Sequence, residues 1–223
     1  MVVEILSKFK RGQWAVVRMR VSELVIASSN SNKILELKTV AREFGVTLYS
    51  PKEIQSQLNL EEMPEVEETG ETYFENALLK AKAVSNWSGM PSLGDDSGLE
   101  VSALGGRPGI YSARYGGLGL SSEQRYLRLL QELEQQLNAS ASDDRSARFR
   151  CVLVLNCPGG ELISTEGILE GRVLSAPRGD QGFGYDPIIE IDQLGKTLAE
   201  VDFSVTCDQG FRALAARKLF GQL

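Results

Sequence analysis

The feature that most constrains the fold is a short apolar run at residues 23–27 that breaks directly into a polar segment at residues 28–31. An apolar run of this length that ends in turn residues is typical of a buried strand, and serine or asparagine then caps a helix. Apolar residues recur at helical spacing over residues 34–44, and Gly45 ends the helix before an extended segment at residues 46–49. The pattern predicts a strand, loop, helix and strand unit.

Strands and helices continue to alternate along the rest of the chain. Apolar periodicity and turn residues predict helices at about 72–87, 122–137 and 210–220, an acidic loop or short irregular helix at 51–71, extended runs at 91–94 and 99–104, and a hairpin formed by 148–156 and 161–169. Since the hairpin is antiparallel, we expect one structural unit of the α/β class with a mixed sheet.

Charge excludes one large class of partner. The chain has 223 residues and a formal net charge of −6, and because residues 1–18 carry +3, the remaining residues carry −9. Such an acidic domain lacks the broad positive surface that duplex nucleic acid requires. No apolar run approaches the roughly 18 residues of a membrane span. We therefore expect a cytoplasmic protein that binds neither nucleic acid nor membrane, with residues 1–18 as a disordered extension.

The chain has no histidine, and its three cysteines show no CxxC spacing. The missing histidine excludes Ser-His-Asp and Cys-His catalysis as well as histidine-ligated zinc. Acidic residues, lysine and a hard metal ion are the catalytic groups that remain.

Lys33 is the first residue that indicates chemistry. A lysine in the first turn of a helix opposes the positive end of the helix dipole unless an anion binds there. Ser28, Ser29, Asn30, Ser31 and Asn32 precede it and, with backbone N–H groups at the helix start, could form a phosphate-binding pocket. The alternative is a serine-capped helix with a solvated lysine.

Adjacent carboxylates, Asp95 and Asp96, precede Ser97-Gly98, which predicts a strand end beside a tight turn. Two adjacent acids repel each other unless a cation intervenes, and Mg²⁺ prefers oxygen ligands of this kind. One carboxylate could also orient or deprotonate water. The alternative is an exposed polar turn.

Glu67 and Glu68 could bring a further carboxylate to that metal, just before a helix start. Acidic residues are also favourable near a helix N-terminus for reasons of the dipole alone, so both interpretations stand.

A glycine-rich segment, Gly182-Phe183-Gly184-Tyr185-Asp186-Pro187, carries two aromatic residues. Its glycines would let the backbone approach a ligand, and Phe183 or Tyr185 could stack on a base. The alternative is a loop whose aromatic side chains fill the core.

Taken in order, several segments resemble the inosine triphosphate pyrophosphatase family, whose members act on non-standard purine nucleoside triphosphates. The segments are residues 27–33, 68–77, 95–99, 105–115, 148–151, 182–187 and 195–200. Each segment alone is weak, but their order and spacing are specific to this family, and the resemblance covers nearly everything after Met19.

The resemblance implies a two-lobed α/β fold with a long curved mixed sheet flanked by helices, a nucleotide cleft between the lobes, and a homodimer. It also implies roles for individual residues. Lys33 and residues 28–32 would hold the triphosphate, Glu67 and Asp96 would bind Mg²⁺, and Asp96 would activate the attacking water. Ser97 would touch phosphate, and residues 183–186 would hold the nucleoside.

One departure from the family lies near the C-terminus. Where the resemblance implies a lysine and a Ser-His-Arg segment that contact the purine, this chain has Thr206 and Gly210-Phe211-Arg212. Arg212 alone is retained, and a site that loses such hydrogen bonds loses discrimination between bases. The alternative to an active pyrophosphatase is therefore a nucleotide-binding protein with altered base specificity and little turnover.

Overall fold

The N-terminal residues form a pair of strands. A computed structural model describes residues 2–8 and 14–223, and for residues 2–8 and 14–20 it describes the backbone alone. Val2–Lys8 (β1) pairs antiparallel with Trp14–Arg20 (β2). Both segments contain β-branched residues, which favour strands, and a disordered extension at residues 1–18 stays a prediction. Residues 1 and 9–13 of the predicted extension lie outside the described residues, and a separate domain at residues 19–223 stays a prediction.

Seven further strands form one open, mixed sheet. They are Glu23–Ala27 (β3), Thr47–Tyr49 (β4), Ser92–Val101 (β5), Ser146–Asn156 (β6), Leu162–Val173 (β7), Ile189–Ile191 (β8) and Lys196–Thr197 (β9). Their order in the sheet is β4-β3-β5-β6-β7-β8-β9. Strand β3 pairs parallel with β4 and β5, whereas β8 pairs antiparallel with β7 and β9. The mixed sheet predicted from the sequence is thus confirmed.

Six α-helices accompany the sheet in the part of the chain that the structure describes. They are Ser31–Glu43 (α1), Pro51–Leu58 (α2), Tyr73–Ser88 (α3), Ser122–Ser140 (α4), Phe203–Gln209 (α5) and Phe211–Phe220 (α6). Helices α1, α3, α4 and α6 confirm the helices predicted from apolar periodicity. Helix α2 is a regular helix, because Ser50 and Glu53 form a capping box at its start, on either side of Pro51. The sequence pattern did not predict α5. None of the described helices has the length and apolar character needed to cross a membrane.

The carboxylate pair lies inside a strand, which corrects the sequence prediction. Asp95 and Asp96 were expected at a strand end beside a tight turn, with separate extended runs on either side. Instead β5 runs without interruption from Ser92 to Val101, and both carboxylates are buried. The difference arises because β5 lies inside the sheet, between β3 and β6. Its pairing with β3 covers residues 92–94, directly before the carboxylate pair, and a strand with a neighbour on both sides has hydrogen-bond partners for its backbone groups that no local pattern shows.

The chain divides into two compact units, in agreement with the two lobes that the resemblance implied. One unit comprises Met1–Asp95, Leu153–Thr165 and Ala216–Leu223, and the other comprises Asp96–Val152 and Glu166–Ala215. In the first unit, Leu24, Val25 and Ile26 of β3 are completely buried. In the second unit, Leu129 and Leu133 of α4 are completely buried. Each unit therefore has its own apolar core.

Glycines at two strand positions allow a helix backbone to approach the sheet. In the first unit, a Cβ on Gly94 would lie 1.9 Å from the Ala77 carbonyl oxygen of α3. In the second unit, a Cβ on Gly167 would lie 1.9 Å from the Phe211 carbonyl oxygen. Real Cβ atoms do not approach backbone this closely, so only glycine fits at either contact. Gly94 therefore fixes α3 against β5 directly before the carboxylate pair.

Candidate functional site

The start of α1 is capped by the side chain of Asn30. Its Oδ1 accepts hydrogen bonds from the Asn32 and Lys33 backbone N–H groups at 2.9 and 3.3 Å, and Ser28 Oγ accepts from the Asn30 N–H at 3.2 Å. The cap thus occupies two of the backbone donors that the sequence suggested for phosphate. Ser29 and Ser31 are exposed at the same turn. An anion here would be met by hydroxyl groups and by the Lys33 ammonium group.

Lys33 reaches from α1 to the carboxylate strand. Its Nζ forms an ion pair with Asp95 Oδ1 of β5, and the Asp95 side chain is completely buried whereas that of Lys33 is 18% exposed. A buried carboxylate requires a compensating charge, which Lys33 supplies. The structure therefore favours an engaged lysine over the solvated lysine that the sequence left open.

Asp96 follows Asp95 on β5 and is 5% exposed. The exposed polar turn considered for these two acids is not present. Two adjacent carboxylates are thus held in a strand, one of them neutralised by Lys33. A strand fixes the carboxylates more firmly than a turn would, which suits groups that must act in a defined position.

The two adjacent glutamates of the acidic segment before α3, Glu67 and Glu68, have different surroundings. Glu68 Oε1 accepts from Lys80 Nζ at 2.9 Å, and the Lys80 side chain is only 13% exposed. Glu67 is exposed and makes no ion pair among the described residues. Glu68 is thus engaged by a lysine, whereas within the described part of the chain Glu67 is not. The sequence missed Lys80, because no local spacing connects it with Glu68.

In the second unit, Arg212 connects Ser97 with the glycine-rich loop. Its Nη2 donates to Ser97 Oγ at 2.9 Å, and its guanidinium lies 5.7 Å from the Phe183 ring centroid and 5.0 Å from that of Phe211. Arg212 is only 1% exposed. These contacts with a hydroxyl group and with aromatic rings restrict the orientation of the guanidinium.

The loop at residues 182–187 is folded by its own side chains. Asp186 is buried, and its Oδ2 accepts from the Phe183 backbone N–H at 2.8 Å. The Tyr185 hydroxyl donates to the Ser112 carbonyl at 2.9 Å, and burial raises the Tyr185 pKa well above its usual range. Tyr185 therefore fills the core as a neutral phenol. Phe183 and Gly184 are only partly buried, so Phe183 is the aromatic that could still meet a base.

Comparison with known proteins identifies the family. The family model described as "Ham1 family" matches residues 24–222. The chain belongs to the Ham1 family. This confirms the family predicted from the sequence.

Among the Ham1 relatives of this chain are two curated proteins, both called "dITP/XTP pyrophosphatase". The one from Bacillus licheniformis is 40% identical over 197 residues, which cover 88% of this chain and 95% of the relative. One from Thermus thermophilus is 41% identical over 201 residues, covering 90% of this chain and 91% of the relative. The solved structure of a HAM1 protein from Coxiella burnetii matches with a TM-score of 0.77 and 35% identity, covering 90% of this chain and 97% of that chain.

Phe211, one of the residues in which this Ham1 chain departs from the family pattern near the C-terminus, stacks on another aromatic ring. The Phe211 and Phe149 rings lie 4.9 Å apart at an interplanar angle of 10°, and both residues are buried. Thr206 is only partly buried, on α5. The sequence identified the substitution, but the ring that Phe211 would contact could not be found without the structure.

Proposed function

We propose that this chain hydrolyses non-standard purine nucleoside triphosphates, such as ITP, dITP and XTP, to the monophosphate and pyrophosphate. The names of its Ham1 relatives support the reaction. The observation that carries the proposal is the Lys33–Asp95 ion pair, because it holds a cation at the residue that directly precedes Asp96 on β5. These are the groups needed to bind a polyanion and to activate water.

The reaction balances with one water molecule. The water oxygen forms a bond to the α-phosphorus, the bond from that phosphorus to the oxygen bridging it to the β-phosphorus breaks, and pyrophosphate leaves. Asp96 positions the water and accepts its proton. Lys33 neutralises charge that develops on the leaving pyrophosphate, and Asp95 keeps the Lys33 ammonium group in place.

The donor set fits Mg²⁺. Among the described residues, no group of three or more histidine, cysteine, aspartate or glutamate side chains is arranged to hold a metal. Proteins usually bind Mg²⁺ through one or two carboxylates together with substrate phosphates, and Asp96 and Glu67 supply oxygen donors of that kind. When bound, Mg²⁺ would offset negative charge on the phosphates.

The remaining site residues serve the two ends of the substrate. We assign the phosphates to Ser28, Ser29, Asn30, Ser31, Asn32 and Ser97, and the nucleoside to Phe183, Gly184, Asp186 and Arg212. Tyr185 supports that loop from the core, since its hydroxyl group is bonded to Ser112. Arg212 acts from a buried position and orients both Ser97 and Phe183.

Product analysis tests the proposal directly. Purified protein with Mg²⁺ is incubated with ITP, XTP, dUTP and the four standard triphosphates, and pyrophosphate and orthophosphate are measured separately. We expect pyrophosphate and monophosphate in equal amounts, and none above background with Asp96→Asn. Orthophosphate as the sole direct product would mean that the carboxylate pair serves a phosphatase instead.

A second candidate function is nucleotide binding with little turnover. The Phe211–Phe149 stack favours it, because an aromatic side chain stands where the resemblance implied a hydrogen-bonding one. Calorimetric titration would then show triphosphate binding in the absence of any hydrolysis across the same panel.

We also propose that residues 19–223 form a single pyrophosphatase domain, that it functions as a homodimer, and that it acts in the cytoplasm. The match of the family model to residues 24–222 supports the domain boundary. Sedimentation analysis at micromolar concentration checks the dimer. Deletion of residues 1–18 with retention of activity checks the boundary.

A further inference from the structure

Asn76 of α3 is completely buried, although it is a polar residue. Its Oδ1 accepts a hydrogen bond from the Gly70 backbone N–H at 2.8 Å. This bond sets the orientation of the amide, and within the described chain its Nδ2 has no hydrogen-bond partner. A buried donor without an acceptor lowers the stability of the native state. The hydrogen bond from Gly70 must therefore stabilise the native state by more than this loss.

The lack of a Cβ at Gly70 makes the same contact possible. A Cβ at this position would lie 2.6 Å from the Glu75 Cβ and 2.8 Å from Asn76 Oδ1. No other residue could approach Asn76 so closely without displacing the helix. The two residues therefore form a matched pair, which we call the Gly70–Asn76 contact.

Two further contacts attach the acidic segment to α3 on either side of Gly70. Glu75 Oε2 accepts from the Glu71 and Thr72 N–H groups at 2.8 and 3.0 Å. Lys80 holds Glu68 from the next turn of the helix. Glu67, next to Glu68, is thus carried by a segment whose backbone position is set by α3.

Helix α3 is in turn fixed against the carboxylate strand. Ala77 directly follows Asn76, and its carbonyl packs on Gly94, which directly precedes Asp95 and Asp96. The same turn of the helix therefore holds the acidic segment on one side and contacts β5 on the other. A shift of the segment relative to this turn would move Glu67 relative to Asp95.

From this geometry we propose that Asn76 is a positioning residue which, through Gly70, holds Glu67 in place for a divalent cation. The inference rests on the proposed function, in which Glu67 and Asp96 bind Mg²⁺. Asn76 contacts neither substrate nor cation in this role. Its loss should weaken metal binding while the chemistry at Asp96 remains, as happens when residues that orient metal ligands are changed.

The test compares Asn76→Ala with Gly70→Ala, which disrupts the same contact from the segment and leaves the helix sequence intact. We expect each to raise the Mg²⁺ concentration for half-maximal pyrophosphate release by roughly 10- to 100-fold. At saturating Mg²⁺, kcat should stay within about threefold of wild type, since Asp96 and Lys33 are untouched. The double variant should be little worse than either single one.

Two further variants provide rescue and control. Asn76→Asp keeps an oxygen acceptor for the Gly70 N–H and should retain a lower Mg²⁺ requirement than Asn76→Ala. Ser85→Ala removes another buried polar group of α3, whose Oγ also has no partner among the described residues. It should leave the Mg²⁺ requirement unchanged, which shows that the effect is not a general response of the helix.

Hydrogen–deuterium exchange gives a readout without catalysis. In Asn76→Ala, the Gly70 amide should exchange faster while the amides in the middle of α3 stay protected. An unchanged Mg²⁺ requirement in both variants, or an unchanged Gly70 exchange rate, would overturn the inference. Failure of wild-type protein to release pyrophosphate would instead overturn the proposed function.

Discussion

The ammonium group of Lys33 forms an ion pair with the buried carboxylate of Asp95. Lys33 lies in the first turn of α1, and Asp95 lies in the middle of β5. The sequence suggested Lys33 as a phosphate-binding residue and Asp95 as one of two metal-binding or catalytic carboxylates. The ion pair joins these two residues, although 62 positions separate them. It also makes Asp95, and not only Asp96, a residue on which activity should depend.

Lys33→Ala should reduce both activity and stability. It removes the phosphate-binding cation and leaves the Asp95 carboxylate buried without its partner, at a cost of about 3 kcal/mol in unfolding free energy. Urea denaturation measures the stability, and pyrophosphate release measures the activity. The double variant Lys33→Met with Asp95→Asn should recover stability but not activity, because it removes the buried charge as well.

A matched control lies on the same helix. Lys38 forms an ion pair with Glu53, but the Glu53 side chain is 47% exposed. Lys38→Ala should therefore cost less than about 1 kcal/mol and leave activity unchanged. Equal losses for Lys33→Ala and Lys38→Ala would show that the burial of Asp95 has no special effect.

Asp96→Asn should abolish turnover without unfolding the protein. Asparagine keeps the shape of the side chain but cannot accept the proton of water, so we expect kcat to fall by about 10³-fold or more. Asparagine also removes the cost of burying the Asp96 charge. The thermal midpoint should accordingly be no lower than that of wild type, and a lower one would make Asp96 a structural residue.

Gly94→Ala should destabilise the protein, because its Cβ would meet the Ala77 carbonyl of α3 at 1.9 Å. We expect a loss of about 3 kcal/mol, since the helix backbone must move. Gly89→Ala is the matched control. Gly89 has open space around it and a φ of 69°, so alanine there should cost only about 1 kcal/mol. Chemical denaturation of the two variants distinguishes a steric from a conformational requirement for glycine.

Glu53 gives a pH prediction for the fold. The Glu53 pKa is lowered from 4.5 to about 2, mainly by the hydrogen bond from the Lys38 side chain and to a smaller extent by the hydrogen bond from the Ser50 backbone. A depressed carboxyl pKa stabilises the native state above the unfolded value, and this contribution is lost as pH falls from about 4.5 towards 2. Glu53→Gln should therefore lower the thermal midpoint slightly at pH 7 and make a much smaller difference at pH 2. An equal difference at both pH values would contradict this assignment.

The C-terminal departure gives a prediction for base selection. Thr206→Lys combined with Phe211→His restores the residue types that the resemblance implies, so kcat/KM for ITP should rise by about tenfold or more relative to ATP. Because Phe211 stacks on Phe149, the pair should also lower stability by about 1 kcal/mol. No change in relative kcat/KM would mean that another group already reads the base.

Much of the fold followed from local patterns. The apolar spacing of α1, α3, α4 and α6 predicted these helices, because a helix that packs on a sheet needs one apolar face. The pattern failed at Asp95 and Asp96, where local polarity indicated a turn. The place of β5 between two neighbouring strands is set by long-range interactions, and no window of sequence contains them.

The sequence alone thus determined the α/β class, the Ham1 family and the residue types available for chemistry, because these depend on periodicity, composition and motif order. Only the tertiary structure decided that Lys33 pairs with Asp95, that Lys80 holds Glu68, and that Arg212 is buried against Ser97. Each of these contacts joins residues on different elements. Their energies depend on burial and distance in the folded chain, which the order of residues does not specify.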